Sequence, residues 1–172
     1  MKGWMKVTVS RVLRRVKKHN PARPEDFKPL GILLEKLGAG AFRAVYRVKG
    51  CPLVVKFPMP GTDFVVNKIH SRTELGRIKK FRRYGWMRKY LPKVYYHNSK
   101  TGVSIIECVD DSKNVMNRGV MSDSRQQRMQ GMCDMAQELI YRLTGTKMTD
   151  ITDDNVRFDQ KRRVAKLIDL AY

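Results

Sequence analysis

Two glycines and five polar side chains stand in an order suited to handling a phosphate. Gly38-Ala39-Gly40-Ala41-Phe42 puts two residues without side chains into one turn, where backbone N–H groups can come close to an anion. Lys56 ends the strand-like run Leu53-Val54-Val55-Lys56, and on a strand paired with that turn its amine can reach an α- or β-phosphate. Glu74 follows on a helical stretch, at a separation that lets an inward-facing carboxylate hold that amine. Near the other end, Asp150 stands five residues before Asn155, and Asp169 lies at the far end of a strand pattern, Val164-Ala165-Lys166-Leu167-Ile168-Asp169. A carboxylate near an incoming hydroxyl, with an amide oxygen and a second carboxylate as hard ligands for Mg²⁺, is the set that phosphoryl transfer needs. Each piece has a plainer reading by itself. A Gly-x-Gly is a tight turn, Lys56 a strand-end lysine and Glu74 a solvent-facing helical residue, so the weight comes from their joint occurrence.

The elements that must position these residues are readable from pattern. Residues 32–57 (ILLEKLGAGAFRAVYRVKGCPLVVKF) read as a strand through Leu34, the glycine turn, a strand through Val45 and Val48, a turn at Lys49-Gly50 and a third strand ending at Phe57. Residues 61–84 read as a helix capped by Thr62 or Asp63, with Gly76 inside it. Two strands, in 92–98 and 102–109, flank a turn at Asn98 to Gly102, and a polar loop runs from Asp110 to Asp123. A helix from Ser124 to Thr144 places Met132, Met135, Leu139 and Leu143 on one stripe, expected to face the core, with Gly145 as its stop. A hairpin over 155–169 closes the pattern. Upstream, Val9, Val12 and Val16 have helical spacing among basic residues, and residues 19–31, rich in proline and charge, read as a linker.

The formal net charge of +20 favours encounter with anionic partners, whether nucleic acid, ribosome, acidic protein or a phosphate-rich ligand. Charge clusters in residues 10–19, 76–89 and 160–163. The second cluster interleaves Phe81, Tyr84 and Trp86, a mixture that nucleic-acid grooves use, although aromatics on a basic helix more often form its core-facing side. No apolar run approaches the roughly 18 residues that span a bilayer, and residues 1–19 carry no apolar core of the secretory kind, so a soluble cytoplasmic protein is expected. Cys51, Cys108 and Cys133 lack the spacing of a zinc site or a disulfide framework and read as small buried hydrophobes.

In order along the chain, these pieces resemble the signature of the protein-kinase-like superfamily. GAGAFRAVY resembles its glycine-rich loop, LVVK its third-strand lysine, HSRTE its helix glutamate, SIIECV its fifth strand and hinge, TDITDDN its catalytic loop and KLIDLA its Asp-Phe-Gly segment. The fold implied is α+β: a five-stranded antiparallel N-lobe with one helix (residues 30–109, hinge included), then a reduced, mainly helical C-lobe with catalytic hairpins (110–172), after a basic extension (1–29). The resemblance runs from about Leu30 to Tyr172 and stops where an activation segment and peptide-docking helices would follow. A C-lobe this small is expected to lean on the Ser124–Thr144 helix, on the N-terminal basic helix, on a partner or on self-association.

What the resemblance implies is specific. Lys56, held by Glu74, would contact the α/β-phosphates of ATP, with Gly38, Ala39 and Gly40 covering them. Val45 and Val54 would face the adenine, Ile106 would stand behind it, and the backbones of Glu107 and Val109 would hydrogen-bond its edge. Asp150 would orient the acceptor hydroxyl or take its proton, and Asn155 and Asp169 would hold Mg²⁺. Several residues depart from the pattern. Arg43 replaces the third loop glycine and would place a cation over the phosphates, and Val54 stands where alanine is usual. Met148-Thr149 replace the His-Arg that braces the catalytic aspartate, Thr152 replaces a lysine, and Leu170-Ala171 replace Phe-Gly.

The leading expectation is therefore an ATP- and Mg²⁺-dependent kinase acting on a protein Ser/Thr hydroxyl. A small-molecule kinase is the rival within that class, because LIDLA and an unbraced Asp150 also resemble the antibiotic and sugar phosphotransferases. A pseudokinase, binding nucleotide or inhibiting a partner, is the alternative from another class. Binding of nucleic acid or ribosomes by the basic surface is compatible with any of these.

Overall fold

Alternation of apolar and polar residues, broken by turn glycines, sets the strands. The computed structural model describes residues 8–61, 64–109, 123–145, 156–159 and 164–168. Strand β1 (Leu34–Ala39) turns at the glycine segment into β2 (Arg43–Val48), and β3 (Leu53–Pro58) follows Gly50, whose φ of 72° suits a residue without Cβ. Helix α2 (Phe64–Phe81) comes next, then β4 (Val94–His97) and β5 (Ser104–Glu107). The five strands form one antiparallel sheet in the order β1-β2-β3-β5-β4. The class is α+β, and five antiparallel strands with one helix are what the kinase-like resemblance implies for this part of the chain. Thr62 and Asp63, expected to cap α2, lie outside the described residues.

By internal contacts the chain divides into two units, Met1–Leu75 with Lys93–Cys108, and Gly76–Pro92 with Val109–Tyr172. In the first, the pleat separates two unlike faces. Val48, Leu53, Val55, Phe57, Val103 and Ile105 point to one side and form an apolar core with Val12, Val16, Phe27 and Ile32. Val12 and Val16 come from helix α1 (Val9–His19), capped at its start by the Thr8 hydroxyl and at its end by Asn20 in the left-handed region. Phe27 sits in a 3-10 turn (Pro24–Phe27) and meets Phe57 edge to face at 5.4 Å. The Asp26 carboxylate accepts the Ala22 and Arg23 N–H groups, which hold its pKa below the ordinary aspartate value. The stretch read as helix and linker is thus the apolar cover of the sheet, and its valines serve the sheet where help for the C-lobe was expected.

In the second unit, α3 (Asp123–Thr144) and a 3-10 turn (Gly85–Tyr90) both pack on β7 (Val164–Leu167), which pairs with β6 (Val156–Asp159). Lys166 and Leu167 are neighbours on β7, therefore on opposite faces, and both are buried, so the strand is covered from two sides. On α3, Cys133, Ala136 and Ile140 are buried, Leu139 is half-buried and Met135 is exposed, so Met135 does not face the core as expected. The side chains of Met132 and Leu143 lie outside the described residues. No described helix is long and apolar enough to cross a membrane.

At the β4–β5 turn, Gly102 has φ 74°, and a Cβ there would lie 2.6 Å from Pro58 Cγ and 2.9 Å from Lys68 Cγ. Gly102→Ala is expected to destabilise the fold by roughly 1–3 kcal/mol, read as a lower urea midpoint with an unchanged slope, whereas Gly85→Ala, which meets nothing within 4 Å, should stay close to wild type.

Candidate functional site

The sheet face turned away from the apolar core carries the candidate chemistry. Directly paired residues in an antiparallel sheet share a face, and the register aligns Val45 with Lys56, Arg47 with Val54, Val54 with Ile106, and Lys56 with Ser104. One surface therefore holds Arg43, Val45, Arg47, Val54, Lys56, Ser104 and Ile106. Val54, Lys56, Ser104 and Ile106 are all buried, and Val45 is half-buried. Two buried polar atoms on this face, Arg47 Nε and Ser104 Oγ, have no hydrogen-bond partner.

Glu74 reaches this face from α2. Its Oε1 accepts a hydrogen bond from Lys56 Nζ at 2.6 Å, and its Oε2 is ion-paired with the Arg43 guanidinium. All three side chains are at least 95% buried, with Glu74 fully so. At such burial each charge has lost most of its hydration, and an ion pair persists only where geometry and further hydrogen bonds compensate. One carboxylate therefore fixes two cations beside each other, at the edge of an apolar surface.

The local sequence explains why α2 delivers that carboxylate. Asn67, Ser71 and Glu74 recur at helical spacing, are all buried, and form a polar inner stripe. Asn67 donates to the Met59 carbonyl at 2.8 Å and Ser71 to the Gly102 carbonyl at 2.8 Å, so side-chain hydrogen bonds to loop backbone dock the helix. His70, four residues before Glu74, stacks against Phe42 with centroids 4.2 Å apart. Phe42 and Arg43 thereby tie the glycine turn to α2 at two successive positions. Inside that turn the Gly40 N–H donates to the Arg43 carbonyl at 2.9 Å. Gly38, Ala39 and Gly40 are themselves exposed.

At the end of β5, the Glu107 N–H donates to the Lys93 carbonyl at 2.8 Å, the Cys108 N–H to the Pro52 carbonyl at 3.0 Å, and the Glu107 carboxylate accepts the Lys93 N–H at 3.1 Å. Val109 belongs to the second unit and is buried there. Asp150, Asn155 and Asp169 lie outside the described residues. Among the described residues no cluster of three or more His, Cys, Asp or Glu side chains is arranged for a metal. Burial raises the Cys51 thiol pKa, with Cys108 as the lesser cause; Cys51 and Cys133 are buried and Cys108 is half-buried.

The partner of Arg43 is what sequence reasoning missed. Read as a loop residue, Arg43 instead begins β2 and turns inward to Glu74. Strand alternation carried the signal: if Val45 faces the site, so does Arg43, two residues earlier.

No family model matches the chain. No curated protein matches it either. Among solved structures it is similar to the ternary complex of streptomycin, ATP and APH(2")-IIa, with 14% sequence identity and a TM-score of 0.44, over 80% of this chain and 46% of that one. The chain thus spans about half the length of that protein. A likeness so loose bears on neither activity nor substrate.

Removing the shared carboxylate leaves two buried cations without it. Glu74→Ala is expected to cost about 3–5 kcal/mol of unfolding free energy in urea. Arg43→Met, which leaves the Lys56–Glu74 bond in place, should cost clearly less, and equal losses would show that Glu74 does not bridge the two.

Proposed function

We propose that this chain is a kinase-like phosphotransferase that uses ATP with Mg²⁺ to phosphorylate a hydroxyl, with a protein Ser/Thr hydroxyl as the first acceptor to test and a small-molecule hydroxyl as the second. The observation that carries the reading is the buried Lys56–Glu74 bond, set on the same sheet face as Val45, Val54 and Ile106. A fixed ammonium beside a flat apolar surface suits a ligand with an anionic end and an aromatic end. The unpaired Ser104 Oγ and Arg47 Nε add polar groups on that face.

In this reading the nucleotide with Mg²⁺ supplies the transferable phosphoryl group. Lys56 would hold the α/β-phosphates, and its bond to Glu74 would keep the ammonium extended toward them, so little side-chain freedom would be lost on binding. Arg43, held by the same carboxylate, adds a second cation at that end. Val45, Val54 and Ile106 would exclude water from the base, and the backbones of Glu107 and Val109 are the groups proposed for its edge. Asp150 would accept the hydroxyl proton as the acceptor oxygen bonds to the γ-phosphorus and the bond from that phosphorus to the β–γ bridging oxygen breaks, with ADP as the leaving group. Asn155 and Asp169 would hold the metal, as hard oxygen ligands of the type Mg²⁺ takes.

The test is transfer of labelled γ-phosphate, with a melting-temperature shift as an independent readout of nucleotide binding. ATP with Mg²⁺ should raise the melting temperature of wild type, and Lys56→Met should weaken binding about tenfold or more, equivalent to about 1.4 kcal/mol. Asp150→Asn should keep the ATP-dependent shift and lose label by about 10²- to 10⁴-fold. Absence of any ATP shift would refute the proposal. A shift with no transfer to protein or to small-molecule hydroxyls would leave the pseudokinase reading in its place.

A further inference from the structure

Residues 76–92 contain seven lysines and arginines and no acidic residue. The structure sorts its aromatic and large apolar residues sharply. Phe81 and Met87 are 1% and 2% exposed and anchor the segment, whereas Tyr84 and Trp86, which the sequence alone assigns to a core-facing side, are 37% and 48% exposed. Lys79, Lys80, Arg83, Arg88 and Lys89 are exposed around them.

The corner that presents these groups is internally braced. Arg82 Nη1 donates to the Leu91 carbonyl at 3.0 Å and the Arg88 carbonyl at 3.3 Å, and Arg88 Nε donates back to the Arg82 carbonyl at 3.0 Å. The N–H groups of Tyr84 and Met87 close successive turns onto the Phe81 and Tyr84 carbonyls, each at 3.0 Å. Both rings thus stand on backbone fixed by the cations of the same segment, and Lys89 lies over the Tyr90 ring at 4.7 Å.

We infer that the end of α2 and the following 3-10 turn form a binding site for single-stranded nucleic acid, with Tyr84 and Trp86 stacking on bases and Lys79, Lys80, Arg83 and Lys89 meeting phosphates. Exposed rings offer a face to any base, and flanking cations track the backbone without sequence preference. The absence of acidic residues leaves nothing in the segment to repel phosphate. An acidic protein would satisfy the cations and leave the two rings in water, and a duplex keeps its bases stacked away from them. The site is independent of the phosphotransfer reading.

The test uses the full chain and a labelled single-stranded oligonucleotide of mixed sequence. Affinity should fall steeply between about 50 and 200 mM salt. Changing Lys79, Lys80, Arg83 and Lys89 to Gln should lower the salt slope by about 0.7 for each phosphate that is no longer neutralised. Trp86→Ala and Tyr84→Ala should each weaken binding roughly 5- to 150-fold, the worth of one stacked base. Both rings are exposed, so these variants keep the fold. Trp86 also reports directly: Trp4 is the only other tryptophan, and in a Trp4→Phe chain the single strand should quench Trp86 fluorescence. Three results would overturn the inference: ring variants that bind like wild type, a duplex that binds more tightly than the single strand, or polyglutamate that competes equally well and depends on the same four cations. The last would mark a surface for acidic proteins.

Discussion

One carboxylate with two cations on it constrains the rest of the first unit. For Glu74 to meet both Lys56 and Arg43, α2 must lie at a fixed distance from β2 and β3, and water must be kept from all three charges. The helix satisfies this with a polar inner stripe. Asn67 and Ser71 are bonded to the Met59 and Gly102 carbonyls, and His70 is stacked on Phe42, so the helix is docked by directional contacts where a sliding apolar seam would have allowed several registers. Gly102 must be glycine because this docking brings the β4–β5 turn against Lys68 and Pro58.

A face built from charges contributes little hydrophobic stabilisation, and the opposite face of the sheet makes up the difference. Every inward residue of β3 on that side, Leu53, Val55 and Phe57, is buried under α1 and the Phe27 turn. Phe57 is met edge-on by both Phe27 and Tyr46, an arrangement worth about 0.5–1.5 kcal/mol per pair beyond burial. Chemistry and cohesion are thus divided between the two faces by the two-residue period of the strands.

The strands and turns were legible because alternation and glycine act locally. The Lys49-Gly50 and Asn98-to-Gly102 turns fall where residue type alone puts them, and β3 reads as a buried run. The role of α1 was not legible: three valines among cations specify an amphipathic helix but not the surface that takes it, and that surface is assembled from strands far along the chain. For α3, Met135 and its neighbour Ala136 both fit a helical apolar period, and only tertiary contact decides that Ala136 is the buried one. The meeting of Lys56 and Glu74 was readable through the colinear motifs alone, since α2 buries Asn67, Ser71 and Glu74 as well as Leu75, Ile78 and Phe81, and a buried polar residue leaves no mark in an apolar pattern. Arg43 was obscured by comparison with a glycine, which drew attention to the turn and away from the strand it begins.

The packing of α1 on the sheet also has a consequence for the order of events during synthesis. Val12 and Val16 leave the ribosome well before Val103 and Ile105, the β5 residues of the same core cluster; at 5–20 residues per second the delay is on the order of 5–20 s. Throughout that interval the helix has its cations and only the earlier part of its cover, from Phe27, Ile32, Val48, Leu53, Val55 and Phe57. Its basic residues then serve as a solubilising device for a nascent segment whose core is completed only when the fifth strand is made.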